Sequence, residues 1–429
     1  MSREMAVRIG LLGFGTIGSS VYRLIEKERD NILKGTGVDL QVAKVLEQDT
    51  RKVPADAPPG VFTTSFDEIV DDPSIDIVVE VIGGTDWAFT YLDAAMRKGK
   101  NVVTANKQLL ASKGRALFDL ARELRRHLRF EASVGGAIPI IKVMRESMIA
   151  AELHTVYGIV NGTTNYILTR MYDGEGDYPE ILAKAQELGY AEADPTADVG
   201  GGDAAAKMAI LGSIAFHSRV TLSDVSYEGI QNITLGDVHY AKDLGFVVKL
   251  IGAAQQVDGK VSVRVYPALI PQQHPLASIS GAHNAVFLQG HAIGEIMLMG
   301  PGAGGVPTAT AVVSDIVSIA NTKDVGFLQS CSCYLALDFF PAAEMESAFF
   351  IKMNAEDRSG VLAQIAAVFG AHGVSVASLI QKGRGDEAEL VLITHRTRES
   401  SFFAAIQEIR ELPCCKSEPI TLRVLSAGR

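Results

Sequence analysis

The sequence has little cysteine, and this narrows the classes of protein to which it can belong. Only four of its 429 residues are cysteines. They form two tight pairs, Cys331 with Cys333 and Cys414 with Cys415. Neither pair has the C-x-x-C spacing or the nearby histidines of common zinc and redox sites. We therefore expect reduced thiols rather than a disulfide framework.

Long apolar runs and excess positive charge are also lacking. No apolar run reaches the roughly 18 residues that a membrane span requires. The N-terminus lacks the apolar core and small-residue cleavage site of a signal peptide. Forty lysines and arginines face fifty acids, so the net charge is −10, and nucleic acid and membrane are poor candidates for partners. These absences indicate a soluble, cytoplasmic protein, and the length predicts two or three domains.

The first third of the sequence alternates short apolar runs with amphipathic segments. The runs predict strands at Val7–Leu12, Leu40–Leu46, Ile75–Ile82 and Asn101–Thr104. The amphipathic segments predict helices at Ile17–Glu28, Trp87–Lys98 and Lys113–Arg126. Strand and helix in turn predict an α/β domain over residues 1–135 with a Rossmann-like, doubly wound parallel sheet.

The remainder divides into three parts. Residues 136–320 mix helical patterns with alternating strands and predict an α+β domain, with helices at Ile138–Met148, Ile181–Leu188, Ala204–Phe216 and Thr308–Ala320 and a strand at Val261–Ala268. Residues 321–345 are less patterned and predict a linker. Residues 346–429 show the order βαββαβ, which is typical of a small split-βαβ domain with a core of its own.

A glycine turn stands where a dinucleotide fingerprint requires it. Gly13-Phe14-Gly15-Thr16-Ile17-Gly18 follows a predicted strand and opens a predicted helix. The glycines allow a tight turn, close approach of a pyrophosphate and close packing of helix on strand, and the helix N-terminus offers unpaired amides. The alternative is a turn with a structural role only.

The end of the second strand bears on the choice of cofactor. An acid there favours a free ribose 2′-hydroxyl and NAD, whereas a cation favours a 2′-phosphate and NADP. Glu47 and Asp49 stand within a few residues of Arg51 and Lys52. The sequence leaves this choice open.

An acidic loop precedes one lysine on an apolar helix. Asp203 and Lys207 lie four residues apart and share a helix face, and three more acids precede them at Glu192, Asp194 and Asp198. Buried charge is costly unless it is paired or used. The alternatives are a structural ion pair and a polar pocket for a zwitterionic substrate, in which Lys207 donates or accepts the proton.

Seven stretches together resemble one enzyme family. They are GLLGFGTIG, EVIGG, VVTANK, FEASVGGAIPI, IVNGTTN, GYAEADPTADVGGGDAAAKMAIL and GPGAGGVPTATAVVSD. The chain resembles homoserine dehydrogenase of the bacterial type with a C-terminal ACT domain, densely over residues 7–320 and by pattern over 349–425. The resemblance implies NAD(P)-dependent interconversion of L-homoserine and L-aspartate 4-semialdehyde, in the route to threonine, methionine and isoleucine. It makes residues 136–320 a catalytic and dimerisation domain whose last helix, 308–320, packs back toward the nucleotide domain.

The resemblance also assigns site residues. It implies Lys207 as proton donor and acceptor, with Asp203 and Lys107 as catalytic neighbours. The substrate residues it implies are Glu192, Asp198, Tyr190 and Thr163. The cofactor residues it implies are Gly13, Phe14, Gly15, Thr16, Ile17, Gly18, Lys107, Gly189 and Gly304. It further implies a structural sodium ion on the backbone carbonyls of Glu131, Val134, Gly136 and Ile138.

The sequence departs from the family pattern at two places. Gln48 stands where many relatives carry a basic residue, which weakens an expectation of NADP preference, and Gly135-Gly136-Ala137 replaces the Ala-Gly-Gly common in bacterial relatives.

Residues 346–429 resemble an ACT regulatory domain, so we expect an amino-acid effector, with threonine the natural candidate near Asp357–Leu362. We also expect a homodimer or homotetramer, and a core that keeps basal activity when the chain is cut near Met345.

Two alternatives remain open. The first is a regulatory protein that senses a nucleotide and an amino acid without turnover. The second is an amino-acid dehydrogenase acting at a C–N bond, which would depend on ammonia.

Overall fold

Parallel strands form the first sheet of the protein. The computed structural model describes residues 5–322, 333–384 and 386–425. Six strands in the described part form this sheet: β1 Met5–Leu12, β2 Val38–Leu46, β3 Phe62–Thr63, β4 Ile77–Glu80, β5 Asn101–Thr104 and β6 Leu128–Arg129. Their order is β3-β2-β1-β4-β5-β6 and every pairing is parallel, which confirms the Rossmann-like prediction. Because the strands are parallel, the loops that follow β1, β4 and β5 meet at one edge.

The helices between these strands cover both faces of the sheet. They are α1 Thr16–Thr36, α2 Asp67–Val70, α3 Asp86–Arg97 and α4 Lys107–Glu123. Helix α4 begins at Lys107 and not at Lys113 as predicted, because Asn106 caps it by accepting a hydrogen bond from the Leu109 amide. This start places Lys107 in the first helical turn, directly at the carboxyl end of β5.

The middle of the chain alternates helices with long antiparallel strands. The helices are α5 Ile140–Lys142, α6 Gly162–Tyr172, α7 Tyr178–Glu187, α8 Thr196–Val199, α9 Gly202–Ala215, α10 Leu235–Asp243 and α11 Gly305–Thr322. The strands are β7 Leu153–Ile159, β8 Ser226–Tyr227, β9 Phe246–Val257, β10 Lys260–Pro271, β11 His283–Gly290 and β12 Gly294–Pro301. Helix α11 returns to the first sheet, where its apolar face packs with α1 and β1 in one core.

One helix of this region is irregular. A single helix was predicted over Ile138–Met148, but the chain makes only the short α5 and then a π-helical segment, Val143–Ser147. Helix α9 is by contrast regular and almost wholly buried, from Ala204 to Ala215, as its apolar sequence predicted.

The tail is joined to the middle of the chain by a shared sheet. It comprises β13 Glu346–Glu356, α12 Val361–Ala371, β14 Val376–Arg384, β15 Glu387–Thr394, β16 Thr397–Arg398, α13 Glu399–Glu411 and β17 Ile420–Val424. Strand β17 pairs in parallel with β10, so within the described residues one sheet runs β12-β11-β7-β9-β10-β17-β13-β15-β14. One face of the tail has its own core, as predicted, but Phe350, Val391 and Leu422 belong to the core of the middle region.

The predicted linker is also more structured than expected where it is described. The Leu335 amide bonds the carbonyl of His217, and the Phe340 amide bonds that of Val261, so residues 335–340 run along the middle region. Cys331 lies outside the described residues, and Cys414 and Cys415 form no disulfide. Among the described residues, no helix is both long and apolar enough to cross a membrane.

Candidate active site

The glycine turn follows β1 at the edge where the loops converge. Gly13 has a φ of 101°, a left-handed conformation that side chains rarely adopt. A Cβ at Gly18 would lie 2.0 Å from the Gly13 carbonyl oxygen, so only glycine allows this packing. Gly15 precedes α1 and no side chain caps the helix, so the first α1 amides are left without side-chain partners. The turn therefore has the form that accepts a phosphate group.

A cleft of about 610 Å³ opens beside this turn. Glu47 lies at its wall, and its carboxylate accepts a hydrogen bond of 3.0 Å from the Phe14 amide. Arg51 points elsewhere, since its guanidinium bonds Asp49 at 2.8 and 2.9 Å. The lining residues are Gly13, Phe14, Gly15, Leu46, Glu47, Gln48, Lys52, Val81, Ile82, Gly83, Trp87 and Tyr91.

A cluster of three charges joins the first sheet to the middle region. The Asp203 carboxylate lies 2.7 Å from Lys207 Nζ and 3.0 Å from Lys107 Nζ. Lys207 also donates to the Val160 carbonyl oxygen at 2.7 Å, which leaves one of its three N–H bonds without an acceptor among the described residues. The Lys207 and Asp203 side chains are only 10% and 9% exposed, whereas the Lys107 side chain is 35% exposed. Residues separated by about 100 positions thus share one carboxylate.

The charges in this cluster set one another's ionisation. Burial opposes the charged form of Asp203, but Lys207 and Lys107 outweigh it and hold the pKa of this carboxyl well below its usual range. Burial also acts to lower the pKa of Lys107, but Asp203 reverses this effect and raises it. Burial and the charge of Asp203 raise the pKa of nearby Asp198. Asp203 and Lys107 are therefore an ion pair at neutral pH.

An acidic cavity of about 510 Å³ opens onto this cluster. It brings together four of the predicted residues: Lys107, Asp203, Glu192 and Asp198. Lys207 stands behind Asp203 and is not among the lining residues. The other lining residues are Gln108, Asp194, Thr196, Ala197, Gly200, Gly202, Ala206, Leu222 and Tyr227.

Other predicted residues lie further from this cavity. The Thr163 hydroxyl donates to the Tyr190 carbonyl at 2.6 Å and lies 3.3 Å from Asp198. Tyr190 is half exposed, and its ring packs on Tyr166. Gly189 precedes it in the turn after α7, and neither Gly189 nor Tyr190 belongs to the described lining of the cleft or the cavity.

Sequence reasoning missed one central residue. Asn161 donates from Nδ2 to Asp198 at 2.7 Å and to Asp203 at 2.9 Å, while its Oδ1 caps α6 at the Thr164 amide. The sequence identifies it only as part of the stretch IVNGTTN and gives it no role of its own. The available signal was the Asn-Gly-Thr-Thr start of a helix, where asparagine is a preferred cap.

The predicted cation residues lie in the buried turn after β6. The carbonyl oxygens of Val134 and Gly136 accept no hydrogen bond from any described protein group, and both residues are buried. The Glu131 carbonyl accepts only a long hydrogen bond of 3.4 Å, from the Val134 amide. The Ile138 carbonyl accepts a hydrogen bond of 2.8 Å from the Ile140 amide. The described residues include no cluster of acids, histidines and cysteines with the spacing of a metal site.

The start of α11 closes on the start of α1. Gly304 has a φ of 114°, and a Cβ on the following Gly305 would meet the Ser20 hydroxyl oxygen at 2.4 Å and the Thr16 carbonyl at 3.0 Å. This contact brings the 304–305 turn to the helix end that follows the glycine fingerprint.

Comparison with known proteins agrees with this architecture. Profiles described as homoserine dehydrogenase NAD-binding domain, homoserine dehydrogenase and ACT domain match residues 13–131, 139–317 and 349–414. The homoserine dehydrogenase of Bacillus subtilis is 41% identical to this chain, and the match covers 99% of each protein. The homoserine dehydrogenase of Corynebacterium glutamicum is also 41% identical, and the match covers 98% of this chain and 96% of the relative.

Solved structures give the same answer. A homoserine dehydrogenase from Thiobacillus denitrificans superposes with a TM-score of 0.94 at 36% identity and 99% coverage of both chains. A hyperthermophilic archaeal homoserine dehydrogenase in complex with NADPH matches 76% of this chain, and all of its own, with a TM-score of 0.64 at 27% identity. The chain therefore belongs to the homoserine dehydrogenases, NAD(P)-dependent oxidoreductases, and carries the ACT domain at its C-terminal end.

Proposed function

We propose that this chain interconverts L-homoserine and L-aspartate 4-semialdehyde at the acidic cavity. The observation that carries the proposal is the Lys107–Asp203–Lys207 cluster, which stands where the nucleotide-binding sheet meets that cavity. The nicotinamide, when bound, supplies or accepts the hydride at the alcohol carbon. The chain must then bind a zwitterion, exclude water and move one proton.

The glycine turn and the start of α1 bind the cofactor's pyrophosphate. The fit rests on Gly13 and Gly18, which no larger residue can replace, and on the open helix end at Gly15, Thr16 and Ile17. The Phe14 amide contributes less, because it already donates to Glu47. We further propose that Gly304, in the turn beside the start of α1, and Gly189, in the turn after α7, contact the bound cofactor.

Glu47 binds the ribose that carries the adenine. Its carboxylate is held by the Phe14 and Asp49 amides in the cleft wall, where it accepts hydrogen bonds from a free 2′-hydroxyl. Arg51 is paired with Asp49, so the cation within the cleft lining that is placed to meet a 2′-phosphate is Lys52, whose Nζ lies 3.7 Å from the Glu47 carboxylate. We propose that NAD is a usable cofactor as well as NADP.

Lys207 is the proposed proton donor and acceptor. Asp203 and the Val160 carbonyl accept hydrogen bonds from its Nζ and orient it, and one N–H remains for the substrate oxygen. Lys107 is the second candidate for this role, because its side chain lines the cavity and Lys207 does not. In either case Asp203 positions both lysines and does not itself transfer the proton.

The acids at the cavity select the substrate's ammonium group. Glu192 and Asp198 line the cavity, and Asn161 and Thr163 fix Asp198 from behind. Tyr190 contributes through its carbonyl oxygen, which orients the Thr163 hydroxyl. Backbone amides at the cavity then take the substrate carboxylate.

A monovalent cation, sodium in the resemblance, fits the turn after β6. The buried Val134 and Gly136 carbonyls accept from no described group, and the Glu131 carbonyl accepts only a long bond, so three of the four predicted oxygens have capacity to bind a cation. Such an ion would brace the segment that joins the nucleotide-binding part, residues 1–135, to the catalytic part, residues 136–320. Ile138 fits less well, since its carbonyl already accepts from Ile140.

We propose that the ACT domain, residues 346–429, regulates the activity of the site. We propose that threonine binds near Asp357–Leu362, where Gly360 with a φ of 90° opens α12, and that copies of the chain pair as dimers or tetramers. Titration of the homoserine rate with threonine, with lysine as a control amino acid, tests the regulator. No response to threonine would leave the domain with a role in assembly only.

Initial rates with homoserine and each cofactor test the proposed reaction. We expect nicotinamide reduction that requires homoserine and releases no ammonia. Release of ammonia in step with nicotinamide reduction, with the hydroxyl group at C4 unchanged, would favour a C–N dehydrogenase instead. Cofactor binding without any turnover would favour a sensor.

A further inference from the structure

A second charge cluster connects the tail to the catalytic part. The Glu399 carboxylate, at the start of α13, accepts a hydrogen bond of 2.6 Å from Arg264 on β10. It also accepts two hydrogen bonds, of 2.8 and 3.0 Å, from Arg423 on β17. The Arg264 and Glu399 side chains are only 4% and 3% exposed. Burial opposes the charge of Glu399, but Arg423 and Arg264 outweigh it and lower its pKa. We call Arg264, Glu399 and Arg423 the Glu399 cluster.

The Glu399 cluster reaches one further residue. The second terminal nitrogen of Arg423 donates to the Glu228 carboxylate at 2.5 Å. Glu228 follows β8, and its amide bonds the Val265 carbonyl on β10, next to Arg264. A side-chain ion pair therefore joins β17 to the segment 227–230, in addition to the backbone pairing that β17 and β8 each make with β10.

The segment 227–230 supports the turn that carries the catalytic acids. The Ile230 amide donates to the Val199 carbonyl at 2.9 Å. A Cβ on Gly201 would lie 2.9 Å from the Glu228 carbonyl oxygen, so the two backbones touch. Tyr227 itself lines the acidic cavity. Because Asp198 and Asp203 lie on either side of this turn, a shift of 227–230 moves both acids.

We propose that Glu228 and Arg423 are positioning residues that transmit the placement of the tail to the acidic cavity. Movement of β17, as an effector or a neighbouring copy would cause, pulls Glu228 and changes the distance between the two acids. Coupling of this kind between two sites typically alters affinity about 5- to 150-fold. The inference rests on the proposed reaction only for its kinetic readout.

The test compares Glu228→Gln with Glu408→Gln in the full chain. Glu408 pairs with His372 on the tail surface and is 53% exposed, against 55% for Glu228, so each variant removes one half-exposed acid. We expect Glu228→Gln to raise KM for homoserine about fivefold or more, with kcat within twofold. Glu408→Gln should leave both unchanged. Arg423→Lys, which keeps the charge, should give a smaller rise in KM.

Hydrogen–deuterium exchange gives a readout without catalysis. We expect faster exchange in residues 196–203 of Glu228→Gln, with no change in Glu408→Gln and the same melting temperature for both. Equal KM values and equal exchange in the two variants would overturn the proposal. A wild-type chain that does not oxidise homoserine would refute the proposed reaction instead, and the exchange comparison would still decide the link.

Discussion

Replacing Lys207 with alanine should lower kcat for homoserine oxidation at least about a hundredfold. General acid–base help is worth roughly 10²–10⁴ in rate, or about 2.7–5.4 kcal/mol at 1.36 kcal/mol per decade. The loss should be in kcat with KM nearly unchanged, because the substitution leaves in place Glu192 and Asp198, the cavity acids proposed to bind the substrate's ammonium group.

The folded state should survive this change. After the substitution, Asp203 keeps its ion pair with Lys107 at 3.0 Å and its hydrogen bond from Asn161 at 2.9 Å, so its charge is not left unpaired. One charge-assisted hydrogen bond is lost, worth about 1.5–3 kcal/mol, and the Val160 carbonyl loses its donor. With about 1–3 kcal/mol for the unpaired carbonyl, the total is about 2.5–6 kcal/mol, which only at its upper end reaches the lower part of the roughly 5–15 kcal/mol by which proteins are stable.

The assay follows nicotinamide absorbance under saturating homoserine and cofactor, with melting temperature measured in parallel. Exogenous ethylamine should restore part of the rate, since it supplies the missing ammonium group. Lys107→Ala is the matched comparison, because Lys107 shares the same carboxylate. A Lys207→Ala enzyme that keeps kcat within tenfold, beside a Lys107→Ala enzyme that loses a hundredfold or more, would refute the assignment and make Lys107 the donor.

Four further expectations concern the cofactor, the cation and pH. Glu47→Ser should shift the ratio of kcat/KM toward NADP at least about fivefold, and an unchanged ratio would show that Glu47 does not meet the ribose. Trp87, the single tryptophan, is 69% exposed in the cleft wall, so NAD should quench its fluorescence; Lys207→Ala should still show this quenching. Sodium chloride should raise the melting temperature above that in choline chloride of equal ionic strength, and equal values would exclude the cation at the 131–138 turn. Burial lowers the pKa of Lys249 from 10.5 to about 8, so between about pH 8 and 10.5 the folded state binds fewer protons than the unfolded state and stability rises with pH. The melting temperature of wild type relative to Lys249→Met should rise over that interval, and a constant difference would contradict the shifted pKa.

The sequence predicted features whose signals lie within a short stretch of chain. The glycine turn, with β1 before it and α1 after it, is one such feature. The pairing of Asp203 with Lys207 is another, because a spacing of four places both on one helix face. Each of these depends on local geometry alone.

Features that depend on distant contacts could not be predicted in this way. Asn161 reaches Asp203 across 42 positions, and nothing in the loop sequence names that partner. Strand β9 carries a long apolar run without clear alternation, which fits a buried strand and a buried helix equally. The junction of β10 with β17 consists of two residue pairs, 268 with 423 and 269 with 424, so it leaves no periodic pattern in either segment.

That junction has a consequence for how the chain is made. Until residues 420–424 leave the ribosome, β10 has an open hydrogen-bonding edge beside a buried apolar face, and such edges are sites of aggregation. Strand β17, the last strand among the described residues, therefore covers this part of the β10 edge, and this contact of high sequence separation forms late in folding. A chain cut near Met345 loses this pairing and the buried side chains Phe350, Val391 and Leu422, so we expect most of it to accumulate in inclusion bodies at expression levels where the full chain stays dispersed. The basal activity expected from the sequence would then be confined to the fraction that stays dispersed.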